Sequence, residues 1–346
     1  MYLLNSEYKI SQTLGSGSNH IVFKAQHILT QSIYAIKIEK KPGIRQIENE
    51  IQILQELFGI EGIPKLIQFG KTKDLKNFLI IPILYCSLQD LRKSNQLSLS
   101  AILAIGLSVL RTIKSVHKRG ILHLDIKPEN IMISSSEVFK SIEQILYPGN
   151  VQLIDFGLSQ NLSNSQFLKH TFIGSLRFAS RQSHKIEELG YKDDIESLLY
   201  VLAYLRNKNL PWQLPQQSAN QLMDIKKIGA IKDQTYNTTL LSQSFPPQFY
   251  QFQLYIDTLT HSSLPDYDYI EELFKQMLQF NEIQISPRFQ ESITYIQEQN
   301  DLVNSENVKM NESISKLGAD TRVVIISDLI KAYTTIKIKS IKDIHF

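Results

Sequence analysis

The stretch ILHLDIKPENIMI, residues 121–133, sets an Asp, a Lys two residues on and an Asn three beyond that between two apolar flanks. It is either an ordinary polar loop or a loop built around chemistry. Asp125 can take a proton from a hydroxyl, Lys127 can neutralise an anion, and Asn130 can offer an oxygen to a hard cation. Such a cation takes oxygen ligands, so a second, acidic ligand is expected downstream. VQLIDFGLS, residues 151–159, supplies it: Asp155 closes an apolar strand and is followed by Phe156 and Gly157.

Two upstream stretches extend the pattern. In LGSGSNHIVFKA, residues 14–25, Gly15 and Gly17 let the backbone bend closely over phosphates, because glycine has no Cβ to block the approach. Val22 fits the longer G-x-G-x-x-G-x-V form, but His20 stands where the third glycine belongs. Alone, this is also what an ordinary hairpin turn looks like. The strand YAIK then ends at Lys37, a charge that is costly to bury without a partner. The following segment, residues 44–58, spaces Ile44, Ile47, Ile51, Leu54 and Leu57 by threes and fours, one face of a helix. Glu50 on that helix is the preferred partner for Lys37, with Glu48 as the fallback. The four stretches in this order point to an ATP-dependent phosphotransferase. Lys37 holds the α- and β-phosphates and Glu50 orients it. Asp125 receives the proton of the acceptor hydroxyl, and Lys127 reaches the transferring phosphoryl. Asn130 and Asp155 hold Mg²⁺.

The bulk properties fit this reading. The chain has 346 residues, is 42% hydrophobic and carries a net charge of +3. It is long enough for one large two-lobed fold or two domains, and too weakly basic to argue for nucleic acid. Cys86 is the only cysteine, so there is no disulfide framework and no thiolate metal site. The first residues lack the basic start and long apolar core of a signal peptide, and no apolar run approaches the roughly 20 residues that span a bilayer. The expectation is a soluble cytoplasmic or nuclear monomer with no transmembrane segment.

Along the chain, residues 8–40 read as a strand meander and residues 78–84 as a short buried strand that Pro82 turns into an extended connector. From about Leu88 helical patterning prevails, with a long apolar helix stopped by Gly120 and another ended by Pro211. The last fifty or so residues are polar with a late mixture of β-branched residues and lysines, and read as a loosely folded or disordered tail rather than a docked regulatory segment.

At this point the chain resembles a protein kinase over residues 8 to about 288. Further stretches are similar to the casein kinase 1 family: IGSLRFASRQSH at 173–184, YKDDIESLLYVLAYLRNKNLPWQ at 191–213, LPDYDYIEELFKQM at 264–277, FGIEGIPKLIQFG at 58–70 and CSLQDLRK at 86–93. The resemblance implies an α+β, bilobal fold, with a strand-rich N-lobe of about residues 8–84, a larger helical C-lobe of about 88–288, and a partly disordered or regulatory tail over 289–346. It implies that Leu14, Val22 and Ala35 cover the adenine from above and Met132 and Ile154 from below. Ile81 would be the gatekeeper, and main-chain atoms at 82–84, mainly Leu84, the hinge contacts. Leu54, His123 and Phe156 would belong to the apolar spine between the lobes. Asp194 would tie the catalytic loop backbone; the alternative is a helix N-cap. The expected partners are protein substrates, acidic or phosphate-primed through an anion site of Arg177 and Lys232. For Lys232 the alternative is a solvated surface lysine.

Four departures from the family pattern bear on activity. His20 adds a side chain above the phosphates: it reads as a solvent-facing imidazole that slightly stiffens the loop and lowers nucleotide affinity modestly, with a pH-sensitive contact there as the alternative. Leu124 replaces an Arg that in the wider kinase family faces a phosphorylated activation loop, so it points to catalysis that does not wait for phosphorylation. Residues 134–150 look like a surface insertion. The substrate region is thinner in basic residues than the family pattern. The competing reading, supported by His20 and Leu124, is a pseudokinase that binds ATP as a scaffold. A small-molecule kinase is disfavoured by GSLRFAS, which looks like a peptide platform.

Overall fold

This computed structural model describes residues 2–4, 7–93, 97–163, 171–213 and 221–280. The chain divides into two units, Met1–Gln290 and Glu291–Phe346. The expected tail, with its lysines, lies outside the described residues.

The N-terminal part is strand-rich. β1 (Tyr2–Leu4), β2 (Tyr8–Ser16), β3 (His20–His27) and β4 (Ile33–Glu39) precede helix α1 (Arg45–Glu56), and β5 (Gln68–Lys71) and β6 (Asn77–Pro82) follow it. The six strands form one antiparallel sheet in the order β1-β2-β3-β4-β6-β5. Successive side chains of a strand point to opposite faces. Ile36 and Ile38 of β4 therefore enter an apolar cluster with Leu4, Tyr8, Ala25, Phe78 and Ile80. Ala35 and Lys37 face the other way, into a cleft. Register shifts between Ile10 and Gln12 and between Thr13 and Gly15 bend the β2–β3 hairpin where the glycine loop begins. In α1 the apolar spacing does what it predicts: Ile47, Ile51 and Leu54 are buried, and Glu50 is buried among them.

Beyond the connector, β7 (Cys86–Ser87), α2 (Leu88–Lys93), α3 (Leu99–His117), β8 (Ile121–Leu122), β9 (Ile131–Ile133), α4 (Ile142–Leu146), β10 (Val151–Leu153) and β11 (Gln160–Asn161) carry the catalytic-loop region. Then α5 (Arg181–Lys185), α6 (Tyr191–Asn207), α7 (Gln221–Tyr236), α8 (Pro247–Thr258) and α9 (Tyr267–Phe280) complete the helical part. The two parts are the lobes of the fold expected from the sequence. α3 starts on Ser98, whose hydroxyl accepts the Ala101 N–H at 3.1 Å. It corrects one expectation, being 19 residues long and apolar enough to cross a membrane. Here it is the core of the lobe, with residues 100–110 all buried and α4, α6 and α9 packed around it.

A second correction concerns residues 134–150. They are not a loop lying on the surface. A short 3₁₀ turn, Ser136–Lys140, and α4 bury Val138, Phe139, Ile142 and Ile145 to 1% exposure or less. Side chains of this kind gain about 1.5–3 kcal/mol each on burial. The segment is thus an integral part of the lobe, docked on α3.

Candidate active site

The two parts enclose a cavity of about 970 Å³. Leu14, Gly15, Gly17, Val22, Ala35, Ile81, Leu84, Met132 and Ile154, the residues expected around the nucleotide, all line it. So do Lys37, Glu50, Asp125, Lys127, Asn130, Asp155 and Arg177. Lys232 does not. The cavity continues past the polar floor to Phe178, Trp212 and Ile228.

Lys37 sits at the centre of the charges, with Nζ 2.6 Å from Glu50 Oε2 and 2.6 Å from Asp155 Oδ1. Burial alone would lower its pKa; the two carboxylates outweigh that and hold it above its ordinary value. Burial would likewise push Asp155 up, but Lys37 pulls its carboxyl down to about 2. Glu48, the fallback partner, is engaged elsewhere, taking an N–H from Asn77 at 3.1 Å. Asp155 adopts φ 66° and ψ 70°, a left-handed conformation that costs a non-glycine residue free energy and needs its surroundings to hold it. Asn49, next to Glu50 on α1, supplies part of that restraint. Its Nδ2 lies 3.3, 3.3 and 2.9 Å from the carbonyl oxygens of Phe156, Gly157 and Ser159.

On the floor, Asn130 Nδ2 donates to the Asp125 carbonyl at 2.9 Å and to Asp125 Oδ2 at 3.1 Å. That leaves Asn130 Oδ1 and Asp155 Oδ2 as oxygens that accept no hydrogen bond among the described residues. An oxygen-only pair, one carboxylate and one amide, is the donor chemistry a hard divalent cation takes. The residues present therefore fit Mg²⁺.

The loop carrying Asp125 is held from behind. Asp194 accepts the backbone N–H of His123 at 2.7 Å and of Leu124 at 2.8 Å, and His117 Nε2 lies 2.8 Å away. Burial would raise this carboxyl; the His117 bond outweighs it and keeps it below its usual value. Asp193, not Asp194, takes the Gly190 N–H at the start of α6. The His123 ring meets Phe156 edge-on at 4.7 Å, and Leu54 is buried. The Asp125 N–H donates to His123 Nδ1 at 3.2 Å, so the Nε2–H donates to the Ile154 carbonyl at 3.1 Å.

Residues 8–286 match the family described as Protein kinase domain. The chain belongs to the protein kinase family. It is 28% identical over 284 residues to casein kinase I homolog 2 of Schizosaccharomyces pombe, covering 79% of this chain and 63% of that one. Casein kinase I homolog 1 of the same organism is 28% identical over 282 residues, 79% and 61% of the two chains. A probable serine/threonine-protein kinase of Dictyostelium discoideum is 29% identical over 281 residues, 78% and 53%. These relatives bear out the resemblance to casein kinase 1 read in the sequence. The aligned region spans only 53–63% of their lengths.

Within this kinase fold the sequence reading missed Ser175. Its Oγ donates to Asp125 Oδ1 at 2.8 Å and accepts from Lys127 Nζ at 3.2 Å, while Lys127 Nζ lies 2.5 Å from Asp125 Oδ2. The activation segment thus closes a three-membered polar ring with the catalytic loop. Gly174 permits the approach: its φ is +102°, and a Cβ there would stand 2.7 Å from the Leu124 carbonyl oxygen.

Leu124 packs with Leu122, Ile173 and Leu189, and with Leu158 and Tyr191. Where the wider kinase family has an Arg, this chain joins the catalytic loop to the activation segment through apolar contact. Two further expectations need correction. The first is Lys232, which is neither an anion-site residue nor a solvated lysine. It is 0% exposed, its Nζ donates to the carbonyls of Ala179 at 2.5 Å and Leu176 at 3.1 Å, and it lies 4.9 and 5.1 Å from the Tyr200 and Trp212 rings. Burial pushes its pKa well below the usual value. Arg177 is left without it; its guanidinium donates to the Tyr204 hydroxyl at 3.3 Å. The second is His20, whose ring is half-buried rather than turned out into solvent. Its imidazole lies against Gly17 on the cleft side.

Proposed function

We propose that this chain is an ATP- and Mg²⁺-dependent serine/threonine protein kinase of casein kinase 1 type. One observation carries the reading: Asp125, Lys127, Asn130, Asp155 and the Lys37–Glu50 pair converge on one cleft. Asp125 would take the proton of a Ser or Thr hydroxyl as its oxygen bonds to the γ-phosphorus and ADP leaves. Lys127 and Lys37 would offset negative charge on the phosphates at the place where it develops. Mg²⁺, held by Asn130 and Asp155, supplies further charge neutralisation when bound. Ser175 would keep Asp125 and Lys127 in register with a peptide lying along 174–180. Arg177 alone is offered for an acidic or phosphate-primed substrate, which argues for a weak dependence on priming.

The pseudokinase reading rests on the His20 ring inside the cleft and on Leu124. Neither removes a group that the transfer step uses, so we hold the active kinase to be the function. The test is transfer of labelled phosphate from MgATP to casein and to a peptide with and without a phosphoserine, for the wild type and Asp125→Asn. The expectation is transfer by the wild type, lost by at least about a hundredfold in the variant. ATP binding without transfer by the wild type would move the assignment to the scaffold.

A further inference from the structure

His20 occupies the third-glycine position of the phosphate loop, yet the loop keeps its shape. The Gly17 N–H donates to the His20 carbonyl at 3.0 Å, closing the turn. Lys40 grips it from just after β4, its backbone N–H donating to the Asn19 carbonyl at 2.9 Å and its Nζ to the Gly17 carbonyl at 2.5 Å. From α1, Gln46 Oε1 accepts the Asn19 amide at 3.0 Å. The roof is therefore braced from two elements, and its side chains have defined places.

The His20 ring takes the space above Gly17. A Cβ on Gly17 would stand 2.8 Å from His20 Cε1 and 3.0 Å from Nε2. A side chain at Gly17 would displace the ring from this place. Half-buried, the ring lines the same cavity as Lys37, Asp125 and Asp155. Neither ring nitrogen has a hydrogen-bond partner among the described residues. Burial first, and then the nearby Lys37, pull its pKa down to about 4, so at neutral pH the ring is uncharged and carries one N–H. A half-buried donor in a phosphate cleft with no partner of its own is a group waiting for a ligand acceptor.

We propose that His20 is a phosphate-contacting residue, its imidazole donating an N–H from the roof to the terminal phosphates of the bound nucleoside triphosphate. This rests on the nucleotide reading of the cleft and adds a specific contact to it. The imidazole takes over from the third glycine: a side-chain donor serves where the other loops of this pattern bring only backbone. It makes the roof discriminate by the phosphate chain, while adenine is recognised by the apolar residues deeper in the cleft.

The inference predicts a split between two probes. MgATP and adenosine are titrated calorimetrically into the whole chain, the wild type against His20→Phe, which keeps a ring over Gly17 but has no N–H, and against His20→Gln, which keeps a donor. The expected result is a loss in MgATP affinity of about tenfold in His20→Phe, the worth of one hydrogen bond to a charged group, with adenosine unchanged and His20→Gln closer to the wild type. Unchanged adenosine binding also certifies that each variant is folded. If His20→Phe keeps the wild-type ratio of MgATP to adenosine affinity, the contact does not exist, although the kinase reading stands. If the wild type binds MgATP no better than adenosine, the contact and the nucleotide reading fall together.

Discussion

Two buried lysines, one partly buried aspartate and one buried aspartate divide the molecule into regions that treat charge differently. In the cleft, Lys37 meets two carboxylates at 2.6 Å, and Asp155 is held at about 2 by it. In the platform beneath the activation segment, Lys232 donates to carbonyls and lies against aromatic rings, with no carboxylate bonded to it among the described residues, and burial lowers its pKa. Asp193 there accepts from the Ser180 hydroxyl and the Gly190 N–H, and burial pushes its carboxyl up to about 7. The first arrangement keeps charges that a transferring phosphoryl can use. The second spends polar groups on holding the chain under the substrate. The lesson is that burial of an ionisable group says little about function until its partner is named.

The sharpest way to break this contrast is to substitute each lysine by methionine. Lys37→Met leaves Glu50 and Asp155 facing each other without a cation and removes a phosphate contact. Transfer is expected to fall by about a hundredfold or more in a single-turnover assay. Lys232→Met keeps the volume but strips a donor from the Leu176 and Ala179 carbonyls. It is expected to cost about 1–3 kcal/mol in urea unfolding and to leave the preference between primed and unprimed peptide unchanged. A primed-substrate preference that vanished in Lys232→Met would restore that lysine to an anion site and break the comparison.

A smaller effect separates the aspartates. The folded protein keeps a proton on Asp193 up to about pH 7, whereas the unfolded chain releases it near 3.8. Between those values the folded state binds more protons, so this group makes stability fall as pH rises, by at most about 1.4 kcal/mol per pH unit. Asp193→Asn should flatten that part of the curve of unfolding free energy against pH between 4 and 7. A slope identical to the wild type would show that Asp193 titrates normally. Asp155, its pKa lowered, contributes in the opposite sense: its stabilisation is present above pH 4 and is lost only as pH falls towards 2.

The sequence made the cleft legible because its chemistry is local. Lys37 closes a strand, Asp125 and Asn130 share one loop, and Asp155 follows another strand, so each position follows from its neighbours. Glu50 was separable from Glu48 by helical spacing, standing three residues after Ile47 and four before Leu54 on the buried face. The platform was not legible in that way. Lys232 lies on α7, whose burial is set by contacts with α5 and the activation segment far along the chain. The His20 ring turns into the cleft because of a three-residue turn and the bracing of Lys40 and Gln46, which no periodicity records. Ser175 acts by reaching the catalytic loop from fifty residues along the chain, and Asn49 by reaching from α1 to the turn after Asp155. The 134–150 segment does carry a local signal, since Val138, Phe139, Ile142 and Ile145 repeat at helical spacing.

The central claim is that the cleft is assembled without a phosphorylated activation segment, because Leu124 packs on Ile173 and Leu189 and Asn49 holds the turn after Asp155. The most direct test is the initial rate of phosphate transfer to casein by protein treated with phosphatase and shown by mass spectrometry to carry no phosphate. The account predicts a rate equal to that of untreated protein. A rate that is absent at first and appears only as the activation segment becomes phosphorylated would contradict it.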